Sequence, residues 1–288
     1  MKSYIPAWSD IFILYLWGTE ENKDLLLSFI NTVLEDADFE TIQSIDIQNA
    51  FNLKNFDIDK KTILDIKARD KHGRIYDIEV QSSGDRHFVN RSLYYWARLY
   101  SSQLTEGKIY TQLRPTICIN ILNFEIFEET RKAHSCFLLF EKDNPELALS
   151  DHLQLHFIEL PKLKKSENMT KLERWLSFLL NEGKEESIMK FLIKDDPDIA
   201  KAHKIYNYFT QDENMRAAYE ARQKWLNDYN SAIAAAEEKG ITKGKEEGKE
   251  EGKVLIARKM MDLGMPLDQI ALFTGFSLDR LKEIAKQE

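Results

Sequence analysis

Over residues 22–35, Leu25, Leu26, Phe29, Ile30 and Val33 recur at three- and four-residue steps, which places them on one side of a helix. A shorter stretch, 9–18, carries the same period. The pattern then changes to a strand-like run at about 41–48, followed by 61–69 and 74–82, where apolar and polar residues alternate around a polar turn. A helix is predicted over about 88–106. The runs 115–124 (PTICINILNF), 135–141 (SCFLLFE) and 153–160 (LQLHFIEL) are short and rich in β-branched and aromatic residues, as strands are. From 168 onward the period is helical. This order predicts an α/β domain over 1–165 with an α-helical extension behind it.

The stretch KTILDIKARDKHGRIYDIEVQ (61–81) reads as a hairpin whose loop, 71–73, places Gly73 in the left-handed position. With that loop Leu64 faces Val80, Ile66 faces Ile78 and Ala68 faces Tyr76, so one side is wholly apolar and sets the register. On the other side Asp65 lies opposite Glu79 and Lys67 opposite Asp77, with Gln81 two residues beyond Glu79. A two-residue loop would pair Asp65 with Ile78 and mix the faces. Acids directly opposite each other repel unless something compensates them. A divalent cation held by both carboxylates is one compensator, with waters and a phosphate oxygen completing its shell. A solvated face screened by Lys67 is the other.

In the helix that follows, Arg91, Tyr95, Arg98 and Ser102 share a side, while Leu93, Trp96 and Leu99 supply much of another. Arginines flanked by tyrosine suit a phosphate-gripping surface. The same spacing also suits core tyrosines rimmed by solvated arginines.

Further along, Gly240, Gly244, Gly248 and Gly252 recur every four residues among lysines and glutamates over 231–253. The segment reads either as a solvated, partly frayed linker helix or as close backbone packing against a second copy. Its charge rules out the membrane form of that pattern. Residues 254–288 divide into three short helices, broken at Gly264–Pro266 and at Thr274–Gly275, with Ser277 capping the last. Ala271 and Gly275 are the small residues of a helix-turn-helix-like module, and the near balance of 6 basic and 5 acidic residues over 253–288 favours packing or oligomerisation over DNA reading.

Charge changes the picture in one place. The chain of 288 residues carries a net −8, yet residues 60–114 hold 11 Lys/Arg against 6 Asp/Glu. The basic segment is the one with the acidic hairpin, as a polyanionic substrate and a cation would require. Cys118 and Cys136 sit in apolar strand-like runs and read as a buried pair of reduced thiols, without the clustered ligands of a zinc site. With no run of 18 apolar residues and no signal-peptide pattern at the start, no membrane association and a cytoplasmic location are expected.

Leu64-Asp65-Ile66, Ile78-Glu79-Val80-Gln81, Arg91-Ser92-Leu93-Tyr94-Tyr95 and Leu104-Thr105-Glu106-Gly107-Lys108-Ile109-Tyr110 together resemble the recombination-promoting nuclease and transposase family of the PD-(D/E)XK nuclease superfamily. LHFIELPKLKK (155–165) and the glycine-every-four tail are similar to it as well. The resemblance implies a restriction-endonuclease-like core over 1–165, with a mixed central sheet flanked by helices. Behind it would follow a helical extension over 166–230, the charged glycine helix over 231–253 and a small helical module over 254–288. It implies a Mg2+-dependent DNA endonuclease, with Mn2+ as an alternative ion, of low sequence specificity and linked to recombination or mobile elements. Asp65 and Glu79 would be the metal ligands, and Gln81 would hold the place of the superfamily's lysine near the attacking water. Asp10 would be a further acid. The family tends to Phe-Lys where this chain has Ile13-Leu14, and Glu21 or Glu35 are alternatives to Asp10. Lys67, Arg91, Tyr95 and Arg98 would contact DNA, and the C-terminal helices would support a homo-oligomer. The alternative expectation is a catalytically degenerate DNA-binding or assembly protein.

Overall fold

Alternation along the hairpin decides how the central sheet faces. In a computed structural model, which describes residues 4–50, 65–82, 84, 87–164, 166 and 168–286, β2 (Ile66–Asp70) and β3 (Ile75–Gln81) pair antiparallel. Ile66 faces Ile78, Lys67 faces Asp77 and Ala68 faces Tyr76, the register expected from the apolar matching. Leu64, the expected partner of Val80, lies outside the described residues. Gly73 has φ +83° and closes the turn by donating its N–H to Asp70 O at 3.0 Å. A side chain there would be strained by the backbone alone.

Among the described residues six strands form one mixed sheet in the order β1-β2-β3-β4-β6-β5. Here β1 is Ile45–Ile47, β4 Thr116–Leu122, β5 His134–Phe140 and β6 Ala148–Glu159. β1 to β3 form an antiparallel meander, β3, β4 and β6 run parallel, and β5 returns antiparallel on β6. β4 is buried along its whole length, as a central parallel strand covered on both sides must be. The first strand is shorter than its apolar run, and β6 begins well before the run that predicted it.

One side of the sheet carries the main core. Ile66, Ala68, Tyr76, Ile78, Ile117, Ile119 and Ile121 meet α1 (Asp10–Trp17) and α2 (Lys23–Asp36) there. The same core takes in α4 (Lys171–Asn181), α5 (Glu186–Asp195) and α6 (Pro197–Gln211). Trp17 stacks on Phe29 at 4.1 Å between ring centroids, and Trp175 of α4 meets both edge-on. Thr170 and Glu173 form a reciprocal capping box that starts α4, and Asp196 caps α6 with Pro197 in its first turn. The other side is smaller. Phe88 of α3 (Phe88–Ser101) packs on Cys118, Leu122, Leu155 and Phe157, while Leu93 is exposed instead of apolar core. Cys136 is only half-buried, so the two free cysteines are not the buried pair expected.

Two polar networks hold the far end of the sheet. Glu159 Oε1 accepts from the backbone N–H groups of Ile126 and Phe127, and its Oε2 meets Lys162 Nζ at 2.7 Å. Lys162 also donates to Phe127 O, and both side chains are almost wholly buried. Nearby, Asp36 pairs with His134, His134 with His156 at 3.0 Å, and His156 reaches Cys136 Sγ at 3.8 Å. Burial, helped by His134, pushes the His156 imidazole down to about 3.

The compact unit built on this sheet ends at Arg222, and a second runs from Gln223 to the C-terminus. α7 (Glu213–Asp262) is one continuous helix through all four periodic glycines, and, apart from the helix's own backbone and the adjacent residues, no atom of the described residues lies within 4 Å of where a Cβ would stand at any of them. The first of the three expected short C-terminal helices is therefore the end of α7. In the second unit Ala257 of α7 packs on Ile270 of α8 (Leu267–Thr274) and on Leu281 and Ile284 of α9 (Leu278–Lys286). Gly275 takes the left-handed conformation and Ser277 Oγ accepts from Arg280 N, as the sequence pattern anticipated. Among the described residues no helix is long and apolar enough to cross a membrane.

Lys162→Met should destabilise the fold by about 3–5 kcal/mol in urea unfolding, because it strands a buried carboxylate. Combining it with Glu159→Leu should recover a large part of that loss.

Candidate functional site

The alternation that sends Tyr76, Ile78 and Val80 into the main core turns Asp77, Glu79 and Gln81 toward α3. Asp65 immediately precedes β2. Asn49 brackets it: Nδ2 donates to Asp65 O and Oδ1 accepts from Lys67 N, each at 2.8 Å. The backbone on either side of Ile66 is thereby held where β1 ends.

Asp65, Lys67, Asp77 and Glu79 from the hairpin and Tyr95, Arg98, Leu99 and Ser102 from α3 and its end line one cavity of about 250 Å3. Larger cavities, about 430 Å3 beside the hairpin turn, about 730 Å3 between α2 and β5 and about 300 Å3 beside Tyr15 and Tyr208, lack these acids. α3 is fixed over the sheet by three polar anchors. Ser92 Oγ donates to Asn120 of β4, Trp96 Nε1 donates to Thr116 O, and the Gln103 amide bonds to Arg114 and Thr116. Leu99, expected on the apolar side, instead lines the cavity beside Tyr95 and Arg98.

Charge is crowded here. Lys67 Nζ meets Asp65 Oδ2 at 2.7 Å. Burial works against the Lys67 charge, but the bond and attraction to Asp65 outweigh it and raise its pKa. The Asp77 carboxyl is pushed up to about 7 by burial and then by Asp65, which lies close enough to share a proton with it. Glu79 is likewise pushed up to about 7, mainly by burial, against the opposing pull of Arg91. Asp77 is 8% exposed, and its buried Oδ1 has no hydrogen-bond partner among the described residues. Gln81 Nε2 donates to Glu79 Oε1 at 2.7 Å, and Gln81 Oε1 accepts from Arg91 Nη2 at 2.8 Å.

Asp65, Lys67, Glu79, Tyr95 and Arg98 thus meet in one cavity, with Gln81 and Arg91 joined at its edge. Asp10 goes elsewhere: its carboxylate accepts from Ile11 N and pairs with Arg222 at 2.8 Å. Of the two alternative acids, Glu35 faces Lys171, and Glu21 lies in the short turn before α2. Asp77 and Asn49 were missed. The alternation puts Asp77 on the same side as Glu79 and opposite Lys67, but does not show that it joins the cavity. The carboxylate oxygens suit a hard divalent cation, and Asp77 Oδ1 is an orphan acceptor beside them. Among the described residues, however, no three His, Cys, Asp or Glu side chains already converge as a metal cage.

Without metal, the folded protein keeps protons on Asp77 and Glu79 that the unfolded chain releases near pH 4. Stability should therefore fall as pH rises from about 4 to about 7 and level off above that. In EDTA, Asp77→Asn should match the wild type in urea unfolding at pH 4. At pH 8 it should exceed it by at least about 1.4 kcal/mol, the worth of one pKa unit.

No curated protein and no solved structure matches the chain. A sequence model does, over residues 9–236, and that span contains the whole sheet, α3 and the hairpin acids. On a match over most of its length, the chain belongs to the PD-(D/E)XK nuclease family transposases.

Proposed function

We propose that this nuclease-family chain is a metal-dependent DNA endonuclease that hydrolyses phosphodiester bonds with low sequence specificity in DNA recombination or the movement of mobile elements. The observation that carries the reading is the gathering of Asp65, Asp77 and Glu79 in one cavity beside Tyr95 and Arg98. In this reading Asp65 and Glu79 would hold Mg2+ or Mn2+. A bound divalent ion supplies positive charge at the scissile phosphate and makes water a better nucleophile.

The chain's own residues do the rest. Arg98, exposed at the cavity edge, and Tyr95 would receive the DNA backbone, with Arg98 neutralising a phosphate. Such contacts position a duplex without reading its bases, which supports low specificity. Lys67 holds Asp65 until substrate and cation arrive, and would then be released toward phosphate. Gln81 offers an amide N–H beside Glu79 that can orient water but brings no charge of its own. Asp10 already has a cation, Arg222, as its partner.

The reading extends to the rest of the chain as an arrangement of parts: a nuclease-like domain over 1–165, a helical extension over 166–230, a glycine-bearing helix over 231–253 and an oligomerising module over 254–288. A cytoplasmic location accords with both cysteines being free.

A second reading, a DNA-binding or assembly protein with a degenerate centre, draws on the Lys67–Asp65 ion pair, which occupies one of the acids. Supercoiled plasmid incubated with protein in Mg2+, Mn2+ or EDTA separates the two. The wild type should nick or linearise plasmid in metal and leave it intact in EDTA. Asp65→Ala and Glu79→Ala should each lower the rate at least about a hundredfold, the scale of losing one group that stabilises transition-state charge. Intact plasmid in both metals, with a gel shift retained by Asp65→Ala, would establish the second reading instead.

A further inference from the structure

Glu79 is linked through one amide to an arginine on a different element. Gln81 stands two residues further along β3 on the same side. It donates from Nε2 to Glu79 Oε1 at 2.7 Å, while its Oε1 accepts from Arg91 Nη2 of α3 at 2.8 Å. A carboxamide has one donating end and one accepting end; a guanidinium only donates and an ionised carboxylate only accepts. With Glu79 ionised, only one of the two amide orientations satisfies both neighbours. The reverse would aim oxygen at the carboxylate and N–H groups at the guanidinium.

Arg91 is itself well placed to impose that choice. Its guanidinium lies over the Phe88 ring, 4.9 Å from the centroid, and Phe88 is buried in the smaller core. The next residue, Ser92, is tied to Asn120, which faces Glu79 in the β3–β4 register. Helix and strand are therefore joined at the rung that carries Glu79. A hydrogen bond accepted from a cation also polarises the amide and strengthens the bond its other end donates.

We propose that Arg91 is a positioning residue of the nuclease reaction, which fixes the Gln81 amide with its N–H end toward Glu79 and supplies through it the positive charge that glutamine lacks. The inference rests on the nuclease reading of the site. It gives Arg91 a task different from the phosphate contact expected of it: Arg98 and Tyr95 line the cavity, while Arg91 acts behind Gln81.

A double-mutant cycle tests it, with kcat and KM measured on supercoiled plasmid and DNA affinity measured by fluorescence anisotropy in EDTA. Arg91→Met should lower kcat by roughly tenfold, within the range of coupled neighbouring groups, and leave KM and DNA affinity within about twofold. In a Gln81→Ala background the same substitution should have almost no further effect. Arg91→Lys, which keeps a charged donor, should retain most of kcat, and Gln81→Lys should restore activity to Arg91→Met. Gln81→Ala leaves α3 untouched and should match Arg91→Met in kcat, so the test does not depend on how well the arginine variant folds. An equal loss from Arg91→Met in both backgrounds, or a fall in DNA affinity with kcat unchanged, would overturn the inference while leaving the nuclease reading intact. A wild type that cuts no DNA would overturn both.

Discussion

The hairpin must keep one side dry and cannot keep the other neutral. Tyr76, Ile78 and Val80 complete the main core, so strand geometry forces Asp77, Glu79 and Gln81 to the opposite side. A one-residue slip would bury three polar groups among isoleucines and lift the core residues under α3. The register is thus maintained by hydrophobic burial, and the clustering of acids is its consequence. Parallel pairing with β4, buried along its length, makes the strand too central to relax.

Burial then makes those acids costly. Asp77 and Glu79 are each pushed up to about 7 because water is largely withdrawn from them, and Asp65 adds repulsion. The chain answers with cations from two sources: Lys67 of β2, two residues along the chain, onto Asp65, and Arg91 from α3 through Gln81 onto Glu79. Among the described residues Asp77 Oδ1 has no hydrogen-bond partner. Stability is given up at this one site, a common arrangement where function rather than folding sets the residues.

Much of this was legible from local pattern. The loop 71–73, the facing of Ile66 with Ile78, the helix beginning at 88 and the grouping of Tyr95 and Arg98 follow from periods of two and 3.6 and from one glycine. Long-range partners were not legible. Asp36, His134, His156 and Cys136 come from α2, β5 and β6, and only sheet order brings them into one chain of contacts. The same holds for Asp10, whose pairing with Arg222 crosses most of the first compact unit in sequence. Leu93 misled because spacing alone does not say which side of a helix meets the sheet; Phe88 and Ser92 take that role.

By itself, then, the sequence determined the hairpin register, the side on which its acids stand and the succession of helices and strands, because these depend on neighbours a few residues apart. The tertiary structure paired Asp10 with Arg222 and joined Arg91 to Glu79 through Gln81. The reason is physical. Hydrogen bonds and charge pairs act over a few ångströms in space, and packing such as that of α3 on β4 is what brings residues from separate elements within that range.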